Sequence, residues 1–400
     1  MSRIFLDHNS TTRPLPEVVE TVARHARDSY ANPGSRHAEG RVARRALEDS
    51  REKIAALLSA SPKEVIFTSG GTEAINLAIF GLAREQPAAV LLTAGEHPAV
   101  RQACARLHEQ GWQLEFLDVD RDGRIIVEQL DQLPWHKIAL ATVILAHNET
   151  GVVQDVSPLA KRCQEHGIPL HLDAVQAVGK MPVDFQGLGA TALSLGAHKF
   201  HGPRGIGAVL LKSGATLRPR QLGGHQESDR RAGTEPVALA VGMAVALEKW
   251  HSAQAQREAR ICDLRDRLER ELRTACPGAV VNGGSARRLS NTLNIAFPGV
   301  DGDALFVALD LAGVSCSLGS TCASGSTEPP PALIAMGCPP EIVASSVRFS
   351  LSFENTCEEI DDAVARIARA VARLRSAQGE SRATTPSTDR QPEPMSKSPA

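Results

Sequence analysis

The sequence predicts an α/β protein, with a mostly parallel central sheet in a large domain and a smaller α/β domain after it. Between about residues 35 and 255, short apolar runs alternate with helical patterns, as strands joined by crossover helices require. Beyond them, residues 238–273 are rich in Ala, Glu and Arg and read as a helical bridge to further apolar runs. A chain of 400 residues, 42% hydrophobic, has enough apolar material to bury more than one core.

Taken in order, residues 35–59 set Val42, Ala46, Ile54, Leu57 and Leu58 at helical intervals among charged residues, which makes an amphipathic helix. Strands are expected at residues 65–68, 90–93, 138–145, 168–172, 191–195 and 206–211, with an apolar helix at 74–82 after the first. Runs at 292–297, 305–309 and 347–353 form the smaller α/β unit, closed by a helix at about 358–374. The expected division is an N-terminal segment (1–12) packing with the small domain, a large domain (13–255), a small domain (256–375) and a tail (376–400). The tail contains no Ile, Leu, Val, Phe, Trp or Tyr, so it cannot offset the entropy of ordering and is expected to be disordered.

Lys and Arg total 44 against 46 Asp and Glu, a net charge of −2, which argues against partners held by bulk charge such as duplex nucleic acid or an anionic membrane. No apolar run is long enough to span a bilayer, and the N-terminus lacks a signal-like apolar stretch, so the expected location is the cytoplasm. Eight cysteines without a CxxC pair fit reduced thiols.

The sharpest local signal is Ser194-Leu-Gly-Ala-His198-Lys199 followed by a Gly-rich loop. A lysine flanked by small residues can lose solvation and form an imine, with room for a flat cofactor against the backbone. Asp173, in Asp173-Ala-Val-Gln176, ends an apolar run, where a carboxylate points into the crevice at a strand's C-terminal end and can keep a pyridinium nitrogen protonated. His171 and Asp173 could instead ligate a metal, although no third ligand has a convincing spacing. Ser69-Gly-Gly71-Thr72-Glu73 opens a helix, so its amides and the Thr72 hydroxyl can receive a phosphate, the glycines permitting close approach; the alternative is an ordinary helix cap. His97 and Asn148 follow apolar runs, where loops carry polar groups into a site. Arg348 lies in an otherwise apolar strand and needs an anion, either a substrate carboxylate or a structural partner. Cys322 sits in a Ser/Gly-rich stretch that suits a reactive thiol, whereas Cys316 follows an apolar run and is expected to pack at a strand end.

Together these fragments resemble the pyridoxal-phosphate-dependent cysteine desulfurases of the NifS/IscS type, in the class V aminotransferase group. The resemblance runs from Phe5-Leu-Asp-His-Asn-Ser-Thr-Thr to about Arg375 and takes in the stretches beginning at Asn32, Phe67, Glu96, Asn148, Asp173, His198, Arg231, Gly319 and Val347, in family order. It implies the fold type I architecture of pyridoxal-phosphate-dependent transferases. It further implies that Lys199 forms the Schiff base, that Asp173 pairs with the pyridine nitrogen, and that His97 stacks on the ring and assists proton transfer. Gln176 would touch the ring hydroxyl, and Asn148 and Arg348 would bind the substrate carboxylate. Gly71, Thr72 and His198 would hold the phosphate, with Thr234 reaching in from the second subunit of a homodimer. Cys322 would accept sulfur from L-cysteine as a persulfide, for an acceptor protein such as an iron-sulfur scaffold. No metal is implied. A selenocysteine lyase or an aminotransferase on the same fold is the alternative. Many relatives carry a hydroxyl three residues before the lysine, on the phosphate side, where this chain has Gly196.

Overall fold

The computed structural model describes residues 2–318 and 330–383; Cys322 and residues 384–400 lie outside them. The chain runs β1 (Ile4–Phe5), α1 (Pro16–Asp28), α2 (Ala38–Leu57), β2 (Val65–Thr68), α3 (Gly71–Leu82), β3 (Ala89–Thr93), α4 (Pro98–Glu109), β4 (Gln113–Leu117), β5 (Ile138–Ile144), α5 (Ser157–Glu165), β6 (Leu170–Asp173), β7 (Ala192–Gly196) and β8 (Gly207–Leu211). It continues through α6 (Val237–Ser252), α7 (Gln254–Ala275), β9 (Val280–Val281), β10 (Thr292–Ala296), α8 (Gly302–Leu311), β11 (Val314–Ser315), α9 (Pro331–Ala335), α10 (Pro340–Ala344), β12 (Ser346–Ser350) and α11 (Cys357–Ala383).

Seven strands form the central sheet in the order β2-β8-β7-β6-β5-β3-β4. The pairs from β7 to β4 are parallel, and β8 is antiparallel to both its neighbours. Strands β5 to β8 are buried along their whole length, the consequence of helices covering both faces. One apolar cluster packs α2 and α6 on one face, and a second packs α3 and α4 on the other. Because the strands β3, β5, β6 and β7 run the same way, their C-terminal ends open on one edge of the sheet.

A further core gathers Leu264, Leu268, Leu293, Phe297, Leu305, Phe349 and Ile367 around the antiparallel sheet β12-β10-β9. Ile4 and Leu6 are buried in this core, where β1 pairs in parallel with β11 and Asp7 bridges to Ser350. The helical stretch at 238–273 is two helices, broken at Ala253. The apolar run at 305–309 lies in α8, and α11 continues through residues 376–383, which the sequence assigned to the tail. Among the described residues, no helix is long and apolar enough to cross a membrane.

A buried ion pair fastens the loop after β8 to this scaffold. Arg51 of α2 donates from Nη1 to Glu227 Oε2 (2.7 Å) and to Val65 O (2.7 Å), and from Nη2 to Glu227 Oε1 (2.9 Å), with its guanidinium 4.8 Å from the centre of the Phe67 ring. Glu227 also accepts from Phe67 N (3.1 Å) and begins three consecutive residues with left-handed φ of 50°, 56° and 65°. Glu227→Ala leaves a buried guanidinium without its carboxylate and is expected to cost about 3–5 kcal/mol. The double variant Arg51→Met/Glu227→Leu should cost less in urea unfolding, and a single variant as stable as the parent would show that the pair does not hold the loop.

Candidate functional site

One cavity of about 360 Å³ opens at the C-terminal edge of the parallel strands. It is lined by Gly71, Thr72, His97, Asn148, Asp173, Gln176, His198, Lys199 and Arg348, together with Asn9, Ser10, Ile75, Ile144 and Val175. Its polar groups come from successive strand ends: Asp173 is the last residue of β6, Lys199 closes the short turn after β7, and His97 and Asn148 lie in the loops after β3 and β5.

Asp173 is buried, and its Oδ1 accepts from Val175 N (3.0 Å). Burial raises its pKa to about 6, so the site disfavours this carboxylate until a cation faces it. His171 lies behind it, with Nδ1 2.8 Å from Thr142 Oγ1 and Nε2 2.8 Å from Ser194 Oγ. Both ring nitrogens are thus engaged by hydroxyls, and burial drops its pKa to about 3. Lys199 Nζ donates to the backbone carbonyls of Asn9 (2.6 Å) and Ser10 (2.9 Å), so the N-terminal segment positions this amine.

At the other end of the cavity, α3 starts at Gly71, with first-turn amides that have no partner among the described residues and the positive end of its dipole. Close packing dictates glycine there, since a Cβ on Gly71 would stand 2.8 Å from Val175 Cγ2. A Cβ on Gly196 would come 3.3 Å from Gly71 N, so the hydroxyl that this chain lacks would have stood beside that amide. Glu73, in the same turn, is tied by Arg231 through Nε to Oε1 (2.7 Å) and Nη2 to Oε2 (3.1 Å). His198 Nδ1 lies 3.1 Å from Thr11 Oγ1, and burial together with the Lys199 charge lowers its pKa to about 4.

His97 caps α4: its Nδ1 accepts from Ala99 N (3.1 Å), which leaves Nε2 as the nitrogen that can exchange a proton with a ligand. Burial and Lys199 lower its pKa to about 4, so the ring is neutral at physiological pH. His147 pins this loop, its Nε2 donating to Gly95 O (2.7 Å) while Nδ1 accepts from Glu149 N (3.1 Å). Arg348 reaches the cavity from β12, donating to Glu149 Oε1 (2.7 Å), Asn148 O (3.1 Å) and Asp7 Oδ1 (2.8 Å).

The aminotransferase class-V family pattern matches residues 4–363. The chain belongs to the class V aminotransferase family. A cysteine desulfurase of Trichormus azollae is 41% identical over 381 residues, covering 94% of each chain. Among solved structures, a NifS-like protein superposes with a TM-score of 0.86 at 32% identity, covering 93% of this chain and all of that one. SspA in complex with cysteine superposes with a TM-score of 0.78 at 31% identity, over 88% of this chain and 99% of that one. Class V aminotransferases use pyridoxal phosphate, and the fold observed here is the α/β architecture of that family.

Nearly all the residues singled out in the sequence meet in this cavity of the class V scaffold. Thr234 does not line it; it is exposed, three residues after Arg231. Cys322 lies outside the described residues, while Cys316 is buried at the end of β11 with its thiol pushed up to about 12. Sequence reasoning gave no role to Asn9, Ser10 or Lys180. The polar run after β1, beginning at Asp7, was the available signal for the first two.

Five imidazoles, those of His8, His97, His171, His198 and His201, are held down to pKa values of about 3 or 4, chiefly by burial. Burial raises Glu96 to about 8 and Asp173 to about 6, an effect of opposite sign. Between about pH 4.5 and 6.5 the unfolded chain binds the histidine protons that the folded chain refuses, and these outnumber the two protons that the folded acids retain. The urea midpoint of cofactor-free protein should therefore rise from about pH 5 to about pH 6.5. A flat or falling midpoint would show that these rings are protonated in the folded chain.

Proposed function

We propose that this protein is a pyridoxal-phosphate-dependent cysteine desulfurase, converting L-cysteine to L-alanine and passing the sulfur to an acceptor protein. The observation that carries the proposal is the convergence of Lys199, Asp173, His97 and Arg348 on one cavity that ends at the N-terminus of α3. The donor set fits the cofactor. A primary amine can meet an aldehyde, a buried carboxylate without a hydrogen-bonded cation can meet a pyridine N–H, and the Gly71 cradle, which a Cβ would fill, can meet a phosphate. Asn148 Oδ1 is buried and makes no hydrogen bond among the described residues, which leaves an acceptor for a ligand at the cavity wall.

When bound, pyridoxal phosphate supplies an electron sink that eases loss of the substrate's Cα proton. Lys199 Nζ is the group that takes this proton, and the carbonyls of Asn9 and Ser10 hold the amine where it acts. Asp173 would stabilise positive charge on the ring nitrogen, Gln176 would meet the ring hydroxyl, and His97 would move a proton at Nε2. Gly71, Thr72 and His198 bind the phosphate, joined by Thr234 from the second subunit of a homodimer. Arg348, oriented by Glu149 and Asp7, receives the substrate carboxylate together with Asn148.

The Cys322 thiolate takes the substrate sulfur, forming a persulfide as the Cβ–S bond breaks. Support comes from the ends of the 319–329 segment. Before it, Ser317 exchanges backbone hydrogen bonds with Arg348 (3.1 and 2.7 Å); after it, Ala332 Cα lies 3.2 Å from where a Cβ on Gly95 would stand, two residues before His97. We assign the clusters on the two faces of the central sheet to a large domain (13–255) and the core around β12-β10-β9 to a small one (256–375). The free cysteines among the described residues suit a reducing cytoplasm.

Purified protein given pyridoxal phosphate should be yellow and release alanine from L-cysteine, and Lys199→Ala should lose both properties. Cys322→Ser should keep the cofactor but lower alanine release by about a hundredfold or more, while Cys316→Ser stays near the parent. Mass spectrometry should place the added sulfur on the Cys322 peptide. Sulfur on Cys316, or normal turnover by Cys322→Ser, would favour a lyase that needs no protein thiol.

A further inference from the structure

A second lysine lies below the cavity and has no part in the chemistry just described. Lys180, in the turn that follows Gly179, is buried, and its Nζ donates to two amide oxygens, Asn9 Oδ1 (2.7 Å) and Gln176 Oε1. No carboxylate is among these partners. The charged and titratable groups around it come from the N-terminal segment (Asp7 and His8), the turn after β7 (His198, Lys199 and His201) and β12 (Arg348). Asp7 is the one acid in that set, and burial with the Lys199 charge lowers the Lys180 pKa well below its ordinary value. A buried amine in such surroundings is costly, which calls for a reason beyond filling space.

The hydrogen-bond pattern supplies one. Gln176 Nε2 donates to Asn9 O (2.9 Å), a carbonyl that can only accept, while Gln176 Oε1 faces the amine of Lys180. The neighbouring amide is fixed in the same way: Asn9 Oδ1 also accepts from Asn291 Nδ2 (2.9 Å), and Asn9 Nδ2 donates to Asn148 O (3.0 Å) and Thr292 Oγ1 (2.9 Å). With its oxygen and one of its two N–H groups committed, Gln176 has a single polar hydrogen left to turn toward the cavity it lines.

We infer that Lys180 is a positioning residue that locks the Gln176 side chain so that an N–H, and never the C=O, faces the bound ring. Gln176 is thereby restricted to donating to an oxygen anion on that ring. The inference rests on the cofactor proposed above, and it concerns the ring's electronic state. A donor at the ring oxygen favours the form with more negative charge there, so its loss makes the lysine-bound chromophore hold its proton to higher pH. Without Lys180 the amide keeps only its bond to Asn9 O, and nothing among the described residues holds its oxygen away from that anion.

The test is a pH titration of the visible band of protein loaded with pyridoxal phosphate, for the parent, Lys180→Met, Gln176→Leu and the double variant. Lys180→Met should raise the chromophore's proton affinity about threefold to tenfold, the worth of one net hydrogen bond. In the Gln176→Leu background the same substitution should move the titration no further. Because a methionine facing two amide oxygens strains the fold, Lys180→Gln runs alongside; it keeps an N–H donor and should titrate near the parent. An unmoved midpoint in Lys180→Met overturns the inference, as does an equal shift in both backgrounds, which would mean that Lys180 acts through its own charge. A Lys180→Gln midpoint displaced as far as that of Gln176→Leu overturns it too. Protein that takes up the cofactor but ignores Lys180 defeats this inference alone, whereas protein that never develops the band defeats the cofactor assignment and this inference with it.

Discussion

Asn9 is the residue on which the site's geometry depends. Its amide N–H donates to Ser350 Oγ, and its side chain reaches Thr292 and Asn291 on the side of the C-terminal core and Lys180 and Asn148 on the side of the central sheet. Its carbonyl accepts from both Lys199 and Gln176. Each polar group of one small, buried side chain is therefore satisfied, and its bonds tie the N-terminal segment to both the central sheet and the C-terminal core. Apolar contacts alone are non-directional and would let the two cores slide against each other. The Asn9 network adds directional bonds that fix the N-terminal segment, and with it the Lys199 amine, against both.

Arg348 shows the same logic with charge. A guanidinium in the middle of a buried strand is a liability unless carboxylates compensate it, and here one comes from each side: Asp7 from the N-terminal segment and Glu149 from the loop after β5. The pair holds the guanidinium in one orientation at the cavity wall. Arg51 and Glu227 make a comparable buried pair farther out, and the loop they anchor continues to Arg231, which grips Glu73 at the start of α3.

How much of this could be read in the sequence depended on whether a residue's role followed from its neighbours. The buried strands were legible because parallel strands covered on both faces are short apolar runs, and Asp173 and Lys199 stood out as polar residues at the ends of two of them. Strand β4 escaped notice because it pairs with β3 alone and is largely open to solvent, so Gln113 and Glu115 interrupt its apolar character. The run at 305–309 turned out helical, a length at which apolar periodicity cannot separate helix from strand. Helix α11 runs past its last apolar residues to Ala383, an extension that no apolar periodicity marks. Lys180 was invisible for a different reason. A lysine near a glycine reads as a surface residue, and only the approach of Asn9 from the far end of the sequence places it indoors.

The threading of the N-terminal segment between the cores also bears on how the molecule is assembled. Residues 4–9 leave the ribosome long before their partners β11, Thr292 and Ser350. The central sheet closes with β8, so it can collapse while the rest of the chain is still being synthesised. The carbonyls that seat Lys199 can be set only after β12 has emerged, more than a hundred residues after β8. Contacts of such long sequence separation form late and slowly. A half-made chain can thus carry a folded sheet whose Lys199 amine still lacks the two carbonyls that hold it, so the cavity takes its final shape late in folding.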